Sequence, residues 1–595
     1  MTVHHRDEFD ALQKQLRELQ GVSILIYDQT CATEKRRRRK RGEYPDPARR
    51  AFINPAVCEG CGDCSVASNC LSVEPLETPL GTKRKINQSS CNKDFSCLKG
   101  FCPSFVTAEG AQLRKPLAVA SSGEQPVVVP EPVLPTLDKP CGIVVTGVGG
   151  TGVVTIGALI GMASHLENKG VTVLDMTGLA QKGGAVMSHV QVAATPGEIH
   201  ATRIATGEAN LLIGCDEIVS ASGEVLSKVR QGLTRAVVNS ARTPAAEFLS
   251  NPDWKFPGAA AEKDIRASVG EDCQFIDANA LALQLLGDTL YANPLLLGYA
   301  WQKGWLPLGK DALLRAIELN SVAVEQNKQA FEWGRLAAHD RSALPAAPTA
   351  RDTEAVIMEM PVSLDRVIKR RVELLTAYQN AAYARRYSDA VASVREVEQR
   401  VVGTGKLVLT DAVARNLAKL MAYKDEYEVA RLHADPAFLD QLRQQFEGEP
   451  GRDYTLSFYL APPLSAKRDA EGQLQKRRYG SWMMRAFKLL ARFKGLRGTV
   501  LDPFGRTEER RQERQLVADY FALIEEFCCS LTPESYFHAL DLARVPETIR
   551  GYGHVKERNV REAHARQKEL LVRYRGDCAS SAAESGPQVQ DALRA

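Results

Sequence analysis

The fold is decided by the segment Cys141-Gly-Ile-Val-Val-Thr-Gly-Val-Gly-Gly-Thr-Gly-Val-Val-Thr-Ile-Gly-Ala-Leu-Ile-Gly161, which predicts a buried strand, a glycine turn and a helix. Further apolar runs alternate with helical stretches after this segment. Such alternation is typical of a doubly wound α/β domain built on a largely parallel sheet. We therefore predict this domain at residues 141–340, with its further strands near residues 171–175, 186–194, 210–214, 236–239 and 274–277.

The glycine turn has the spacing Gly147-x-Gly149-x-x-Gly152, and Asp175 ends the next predicted strand. This arrangement matches a dinucleotide-binding fingerprint, in which the helix N-terminus receives a phosphate. The residues leave open a turn without a ligand, a different phosphate-bearing ligand and a subunit-docking role. A second glycine-bearing loop spans residues 178–184 and would face the same crevice. The candidate ligand-binding residues are Gly147, Gly149, Gly150, Thr151, Gly152, Gln181 and Lys182.

Seven of the chain's 14 cysteines are concentrated in residues 58–102, beginning with a Cys-x2-Cys-x2-Cys run and ending with Cys-Pro. Three thiolates at such gaps suit an iron–sulfur cube, and a distant Cys-Pro supplies a fourth ligand in bacterial ferredoxins. A zinc ribbon would instead show two Cys-x2-Cys pairs, and a disulfide knot would need an oxidising compartment. The sequence therefore predicts iron–sulfur ligands at Cys58, Cys61, Cys64, Cys70, Cys91, Cys97 and Cys102.

The ligand count leaves the number of clusters open, because two [4Fe–4S] clusters need more thiolates than this segment offers. Either one cluster is bound, or two are bound and one iron takes a non-cysteine or remote ligand. The ferredoxin pattern groups Cys58, Cys61, Cys64 and Cys102 on the first cluster. A second cluster would then be held incompletely by Cys70, Cys91 and Cys97.

Composition excludes several classes of protein. The 595 residues are too many for one core, and 25% charged with 44% hydrophobic residues is ordinary for a globular protein. No apolar run reaches the roughly 18 residues of a membrane span, and residues 1–20 do not read as a signal peptide, so we expect a cytoplasmic protein. The basic run Lys35–Arg41 lacks aromatic neighbours, so nucleic-acid binding is not expected.

Composition and apolar periodicity predict the elements in the rest of the chain and the order of its domains. A helix at 6–20 and a buried strand at 21–30 are predicted before the cysteines, and prolines mark a linker at 113–140. Past residue 345, helical patterns dominate at 364–400, 411–432 and 508–527, and Tyr454–Leu460 alternates as a strand. The predicted order is an amino-terminal remnant at 1–45, an iron–sulfur module at 46–112, the linker, the α/β domain, a mainly helical domain at 341–575 and a disordered tail at 576–595.

These motifs resemble a known family. Residues 143–338 resemble the gamma-type catalytic domain of 2-oxoacid:ferredoxin oxidoreductases, through the Gly147–Gly161 turn, the Gln181–Gly184 loop and the Val324–Ala330 helix. The cysteine region, with Asp28–Cys31 and the basic run before it, resembles part of the long fused indolepyruvate ferredoxin oxidoreductases. The helical domain resembles their C-terminal extension through Met421–Tyr427, Leu460–Pro463 and Leu496–Thr507.

The resemblance implies a multidomain α/β protein with a ferredoxin-like iron–sulfur module, and oxidative decarboxylation of an aryl pyruvate, such as indolepyruvate, to an acyl-coenzyme A. It implies thiamine diphosphate with Mg²⁺, coenzyme A as co-substrate, one or two [4Fe–4S] clusters and ferredoxin as electron acceptor. The sequence contains no Gly-Asp-Gly thiamine motif, and residues 1–45 resemble only the end of the thiamine domain. We therefore expect the C-terminal half of the fused enzyme, inactive without a thiamine-bearing partner polypeptide, in a homo- or hetero-oligomer.

Within this family the glycine turn is not a nicotinamide site, so the resemblance assigns it to the crevice near the active site, around coenzyme A. Two other functions remain open. One is a nicotinamide- or flavin-dependent iron–sulfur oxidoreductase, suggested by Gly147, Gly149, Gly152 and Asp175. The other is an electron-transfer subunit without a substrate of its own, suggested by the missing thiamine motif.

Overall fold

The computed structural model describes residues 2–114, 129–178, 184–243, 247–345, 363–403, 405–462, 467 and 474–584. Residues 1–46 and 92–94 form one compact unit, and the rest of the chain forms the other. The first unit contains helices α1 (Phe9–Glu18) and α2 (Ala32–Lys40), so the helix predicted near its start is confirmed. Helix α2 carries the basic run, and Glu34 accepts a hydrogen bond from Arg38 at 3.1 Å.

The predicted buried strand at 21–30 is wrong. These residues form neither helix nor strand, and Val22 and Ile24 are 97% and 81% exposed. The apolar run does favour a strand, but a strand needs a neighbour to take up its backbone hydrogen bonds, and no strand belongs to the described part of this unit.

The cysteine region is built from two antiparallel strand pairs. The first and last strands pair with each other, with Ile53 opposite Phe105, and the middle two form a hairpin. The cysteines lie on the segments that connect these strands. The elements are β1 (Arg49–Ile53), α3 (Asp63–Ser68), β2 (Val73–Leu76), β3 (Lys83–Ile86), a 3-10 turn at Ser96–Lys99 and β4 (Phe105–Glu109).

The α/β domain begins with the predicted strand, turn and helix, and each further strand predicted from an apolar run is confirmed. Its strands are β5 (Cys141–Val148), β6 (Gly170–Thr177), β7 (Ala185–Ala193), β8 (Leu211–Gly214), β9 (Arg235–Asn239) and β10 (Cys273–Ile276). Its helices are α4 (Val153–Leu166), α5 (Glu217–Ser220), α6 (Gly223–Leu226), α7 (Glu247–Ser250), α8 (Gly258–Val269), α9 (Ala278–Leu286), α10 (Ala292–Gln302), α11 (Lys310–Asn320) and α12 (Val324–His339).

The six-stranded sheet has the order β10-β9-β8-β5-β7-β6. The strands β5, β8, β9 and β10 are parallel, whereas β7 lies between β5 and β6 and is antiparallel to both. Because β6 and β5 are both antiparallel to β7, β6 runs in the same direction as the other four strands. The predicted largely parallel sheet is therefore confirmed, with β7 as the strand that runs in the opposite direction. Apolar residues from both faces of β5 are buried under helices: Val145 packs into the core with α4 and α10, and Val144 into the core with α8.

The last part of the chain is mainly helical, as predicted. It comprises α13 (Leu364–Tyr378), α14 (Ala381–Val402), α15 (Val408–Met421), α16 (Glu426–Ala434), α17 (Pro436–Gln445), β11 (Thr455–Leu460), β12 (Arg477–Tyr479), α18 (Met483–Arg492), α19 (Glu508–Ser530), α20 (Tyr536–Arg544) and α21 (Gly553–Glu584). Helix α21 continues past residue 575, into the segment predicted as a disordered tail; residues 585–595 lie outside the described part.

The predicted strand at 454–460 is confirmed as β11, but its location was not foreseen. It pairs with β4, so one sheet in the order β1-β4-β11-β12 joins the cysteine region to the helical part of the chain. Half of the predicted linker at 113–140, residues 115–128, lies outside the described residues. Among the residues described, no helix is both long and apolar enough to cross a membrane.

Candidate functional site

Four of the predicted iron ligands come together in the core of the cysteine region. Cys58 and Cys61 follow β1, Cys64 lies on α3, and Cys102 precedes β4. Burial raises the pKa of Cys61 well above its usual value, and the neighbouring Cys102, Cys64 and Cys58 thiols raise it further. Burial and the Cys58 charge likewise raise the pKa of Cys102 to about 11. The four thiols are therefore close enough for their charges to interact.

Backbone geometry holds these sulfur atoms. Gly60 has a φ of +68°, and a Cβ there would lie 2.2 Å from the Thr82 carbonyl oxygen, so only glycine fits this position. Its N–H donates to Cys58 Sγ at 3.3 Å, and the Ser104 N–H donates to Cys102 Sγ at 3.5 Å. Hydrogen bonds of this kind are among the factors that set the reduction potential of a cysteine-bound cluster.

The other three predicted ligands are less tightly grouped. Cys97 lies on the 3-10 turn, is buried, and is close enough to Cys64 to raise its pKa. Cys70 and Cys91 are half-buried and pack against the same apolar cluster. No group of three or more His, Cys, Asp or Glu side chains placed to hold a metal ion occurs in the described ranges. A cube spreads its four thiolates over four irons, so its ligands do not converge on one point.

Two cations, the buried Arg84 and the half-buried Lys476, lie beside the four thiols, and the sequence pattern indicates neither of them. The Lys476 ammonium group donates to the carbonyl oxygens of Leu98, at 2.7 Å, and Gly100. The Arg84 guanidinium donates to the carbonyls of Lys83 and Pro252 at 3.2 and 3.1 Å and lies 4.4 Å from the Phe248 ring centroid. Neither forms an ion pair with any residue that the structure describes, although buried charges are normally paired.

The loop that carries the first cysteines is tied to the helical part of the chain. Lys424 Nζ lies 2.5 Å from Glu59 Oε1 and donates to the Val57 and Cys58 carbonyls at 3.2 and 3.1 Å. Although burial opposes ionisation of Glu59, the Lys424 and Lys83 charges hold its pKa at about 2. Lys424 belongs to the Met421–Tyr427 segment, so one of the motifs behind the resemblance anchors the cysteine loop.

The glycine turn lies at the carboxyl end of β5. A Cβ at Gly147 would lie 2.7 Å from Val153 Cγ2 and 2.9 Å from Cys215 Cβ, so a side chain would clash with α4 and with the residue after β8. The Gly149 N–H donates to the Gly184 carbonyl at 2.7 Å, which brings the two glycine-bearing loops together. Gln181 and Lys182 lie outside the described residues.

Asp175 does not occupy the place that a dinucleotide fingerprint requires. In that fingerprint the acidic residue ends the strand beside the glycine turn. Here β7 separates β6 from β5, and Asp175 accepts a hydrogen bond from Ser188 of β7. This geometry disfavours a ribose contact from Asp175.

Two carboxyl groups that the sequence did not single out lie beside the turn, at the switch point of the sheet between β5 and β8. Asp216 and Glu217 lie two and three residues after the end of β8 and are each 4% exposed. Asp216 Oδ1 accepts from the Val219 N–H at 2.8 Å, while its Oδ2 is buried without a hydrogen-bond partner. Burial raises the pKa of Asp216 and, together with the Glu262 charge, raises that of Glu217 to about 7.

We expect Glu217→Gln to stabilise the chain at neutral and alkaline pH. Because the folded pKa is near 7 and the usual value is 4.5, the carboxyl destabilises the fold progressively as pH rises from about 4.5 to 7. Gln removes this cost, so the variant should gain up to about 3 kcal/mol above pH 7 and nothing near pH 4. Urea unfolding across this pH range measures the gain, with Glu224→Gln on α6 as the exposed control. A gain that does not depend on pH would contradict the prediction.

Comparison with known proteins agrees with the sequence motifs. Residues 142–337 match the family model for pyruvate ferredoxin/flavodoxin oxidoreductase, and residues 364–569 match a family of unknown function (DUF6537). The chain is 27% identical over 194 residues to the indolepyruvate oxidoreductase subunit IorB of Methanothermobacter thermautotrophicus, which covers 32% of this chain and 94% of the relative. The same subunit from Pyrococcus horikoshii is 26% identical over 208 residues, which cover 34% of this chain and 98% of the relative.

Solved structures include similar chains at low identity. Pyruvate oxidoreductase subunit PORC from Thermotoga maritima is 17% identical, covers 33% of this chain and 96% of its own, and gives a TM-score of 0.25. The 2-oxoglutarate:ferredoxin oxidoreductase from Magnetococcus marinus is 18% identical, with 35% of this chain and 32% of that chain covered, and the TM-score is 0.25. The predicted resemblance to indolepyruvate ferredoxin oxidoreductases is confirmed by the family model that residues 142–337 match and by the curated relatives.

Proposed function

We propose that this chain is the iron–sulfur and gamma-type component of a 2-oxoacid:ferredoxin oxidoreductase that acts on aryl pyruvates such as indolepyruvate. The reaction is oxidative decarboxylation to an acyl-coenzyme A in the cytoplasm, with ferredoxin as the final electron acceptor. The oxidoreductase domain at residues 142–337 and the similarity to IorB subunits support the reaction class. The arrangement of the cysteine region supports the electron-transfer role.

One observation carries the proposal: four neighbouring thiols, three of them buried, lie beside the Arg84 and Lys476 cations, which form no ion pair with a carboxylate in the described residues. Neighbouring thiols cannot all ionise in an apolar core unless positive metal charge is taken up. A [4Fe–4S] cluster held by four thiolates is anionic overall, so the cations at Lys476 and Arg84 would compensate it. Cys58, Cys61, Cys64 and Cys102 therefore fit a [4Fe–4S] cluster.

The strand order also supports a ferredoxin-like module. Outer strands β1 and β4 pair around an inner hairpin of β2 and β3, and the cysteines occupy the connecting segments. A second cluster on Cys70, Cys91 and Cys97 remains part of the proposal, with its remaining ligand unassigned. The proximity of Cys97 to Cys64 would place such a cluster next to the first.

In the α/β domain, we assign the glycine turn to one wall of the substrate crevice. Gly147, Gly149, Gly150, Thr151 and Gly152 would border coenzyme A, with Gln181 and Lys182 on the second loop. Asn293 holds the turn, because its side-chain N–H donates to the Thr151 carbonyl at 3.0 Å. Asp216 and Glu217 add buried acidic groups to this same edge of the sheet.

Thiamine diphosphate and its Mg²⁺ would be bound by a partner polypeptide, since the sequence contains no Gly-Asp-Gly motif. Thiamine stabilises the carbanion left by decarboxylation, and the iron–sulfur clusters accept its electrons one at a time. This chain would supply the crevice wall and the electron exit.

We expect the purified chain alone to show no turnover. After addition of a polypeptide that carries the Gly-Asp-Gly domain, the mixture should reduce methyl viologen in a reaction that depends on indolepyruvate and coenzyme A. Anaerobic dye-reduction assays with and without the partner measure this. A chain that holds clusters but remains inactive with the partner would instead favour a non-catalytic electron-transfer subunit. Stoichiometric binding of NADH or FAD in equilibrium dialysis would favour the nicotinamide- or flavin-dependent alternative.

A further inference from the structure

A strongly basic surface begins beside the cysteine region. Residues 474–501 contain eight Lys or Arg residues and no Asp or Glu, and all of these cations except the buried Arg497 are at least partly exposed. Lys476 at its start reaches the carbonyl of Gly100, and a Cβ at Gly100 would lie only 2.8 Å from Cys64 Cα. The next residues form the edge strand β12, which belongs to the same sheet as β4. The basic segment therefore starts beside Gly100, the residue that packs against Cys64.

Helix α18 in this segment has two apolar faces. Its inner face is buried, with Phe487 packed against Phe458 and His433 at centroid distances of 5.1 Å. Its outer face carries Trp482, Leu489 and Phe493, which are 60%, 57% and 47% exposed. These residues, with Arg485 and Arg492 between them, follow three- and four-residue spacing and so share one side of the helix. We call Trp482, Arg485, Lys488, Leu489, Arg492 and Phe493 the α18 face.

The α18 face has the composition of a docking site. Exposed Trp and Arg residues are the side chains most often found as binding hot spots. Arg485, Lys488 and Arg492 form no ion pair in the described part of the chain, so their charges are available to a partner. Exposed apolar side chains surrounded by unpaired cations fit an acidic protein surface with an apolar centre. A basic protein surface would be repelled, because its charges have the same sign.

We infer that the α18 face docks a small acidic protein that accepts single electrons; this rests on the proposed iron–sulfur function. Electron transfer across the contact makes and breaks no bond: this chain is oxidised by one electron and the carrier is reduced by one. A second copy of the chain fits poorly, because a two-fold contact would set the same cations against each other. Phe487 on the inner side of α18 stacks on His433, whose Nε2 lies 3.0 Å from the carbonyl oxygen of Pro103, the residue after Cys102. This link to the cysteine region favours a partner that receives electrons.

The test uses the full chain with its clusters reduced photochemically and mixed anaerobically with an oxidised acidic ferredoxin in a stopped-flow instrument. We expect Arg485→Glu/Arg492→Glu to lower the second-order rate constant of ferredoxin reduction by about 10- to 100-fold at low salt, with the difference shrinking at high salt. Trp482→Ala should raise the Kd by about tenfold with less salt dependence. The control Arg561→Glu/Arg566→Glu, on the exposed side of α21, changes net charge equally and should leave both values unchanged.

Iron and sulfide content and the electron paramagnetic resonance spectrum of each variant separate the two proposals. Wild-type chain without clusters would refute the proposed function. Intact clusters with α18-face variants that match the control would overturn the docking inference alone. Loss of self-association or of binding to anionic phosphatidylglycerol vesicles, with unchanged ferredoxin kinetics, would also overturn it, because the face would then serve a second copy or a membrane.

Discussion

Replacement of Cys61 by serine is expected to remove most of the iron, the acid-labile sulfide and the visible absorption from the anaerobically reconstituted chain. Cys61 interacts with Cys58, Cys64 and Cys102, and a cube that loses one thiolate keeps an iron without its ligand. Loss of a hydrogen-bond partner behind a metal ligand already costs roughly 10- to 100-fold in affinity. Loss of the ligand itself should cost more.

Cys529→Ser is the matched control, because this exposed cysteine lies near the end of α19, outside the cysteine region. It should keep the wild-type iron content and reduction by dithionite. Cys70→Ser tests the second cluster. If two clusters are bound, this variant should lose about half of its iron, and if only one is bound, it should lose no iron. Unchanged colour and reduction in Cys61→Ser would show that the first grouping is wrong.

Replacement of Arg497 by methionine is expected to destabilise the helical part of the chain by about 3–5 kcal/mol. Arg497 and Asp425 are 5% and 3% exposed and form a two-pronged pair at 2.5 and 2.9 Å. The guanidinium also lies 3.6 Å from the Tyr378 ring centroid and donates to the Tyr378 carbonyl at 2.7 Å. Methionine fills much of the volume but leaves the Asp425 carboxylate buried without its cation.

Urea unfolding followed by far-ultraviolet circular dichroism measures this loss. Arg573→Met is the control: Arg573 pairs with Glu569 at 2.6 Å on the exposed side of α21, and its loss should change stability by no more than about 0.5 kcal/mol. Equal losses in the two variants would mean that the buried pair contributes no more than a surface pair. Arg497 and Asp425 come from two of the segments that carry the family resemblance, so those segments meet at a structural centre of the helical region.

Local patterns predicted much of the secondary structure. The apolar runs of β5 to β10, the helices after residue 363 and the alternating strand β11 are each encoded in a few consecutive residues. The local sequence pattern could not predict which strands pair with each other, however. The run at 21–30 reads as a strand but has no neighbour in its unit, and nothing in residues 186–194 indicates that β7 inserts antiparallel between β5 and β6.

In the candidate site, too, the local sequence predicts some of the residues and not others. The spacing of Cys58, Cys61, Cys64 and Cys102 identified side chains that do come together, because three of them lie in one short loop and helix. Lys476 reaches them from the helical part of the chain, hundreds of residues later, and no local signal links it to the cysteines. Asp216 carried a weak signal, as a polar residue just after a buried strand at the carboxyl edge of the sheet.

The most direct test of the central claim is the metal content of the wild-type chain, purified and reconstituted under anaerobic conditions. Four neighbouring thiols beside the Lys476 and Arg84 cations predict a brown protein with iron and acid-labile sulfide in equal amounts, about four of each per cluster. Reduction should produce the electron paramagnetic resonance signal of a reduced [4Fe–4S] cluster. A colourless chain without bound sulfide, or one holding only zinc, would contradict the account.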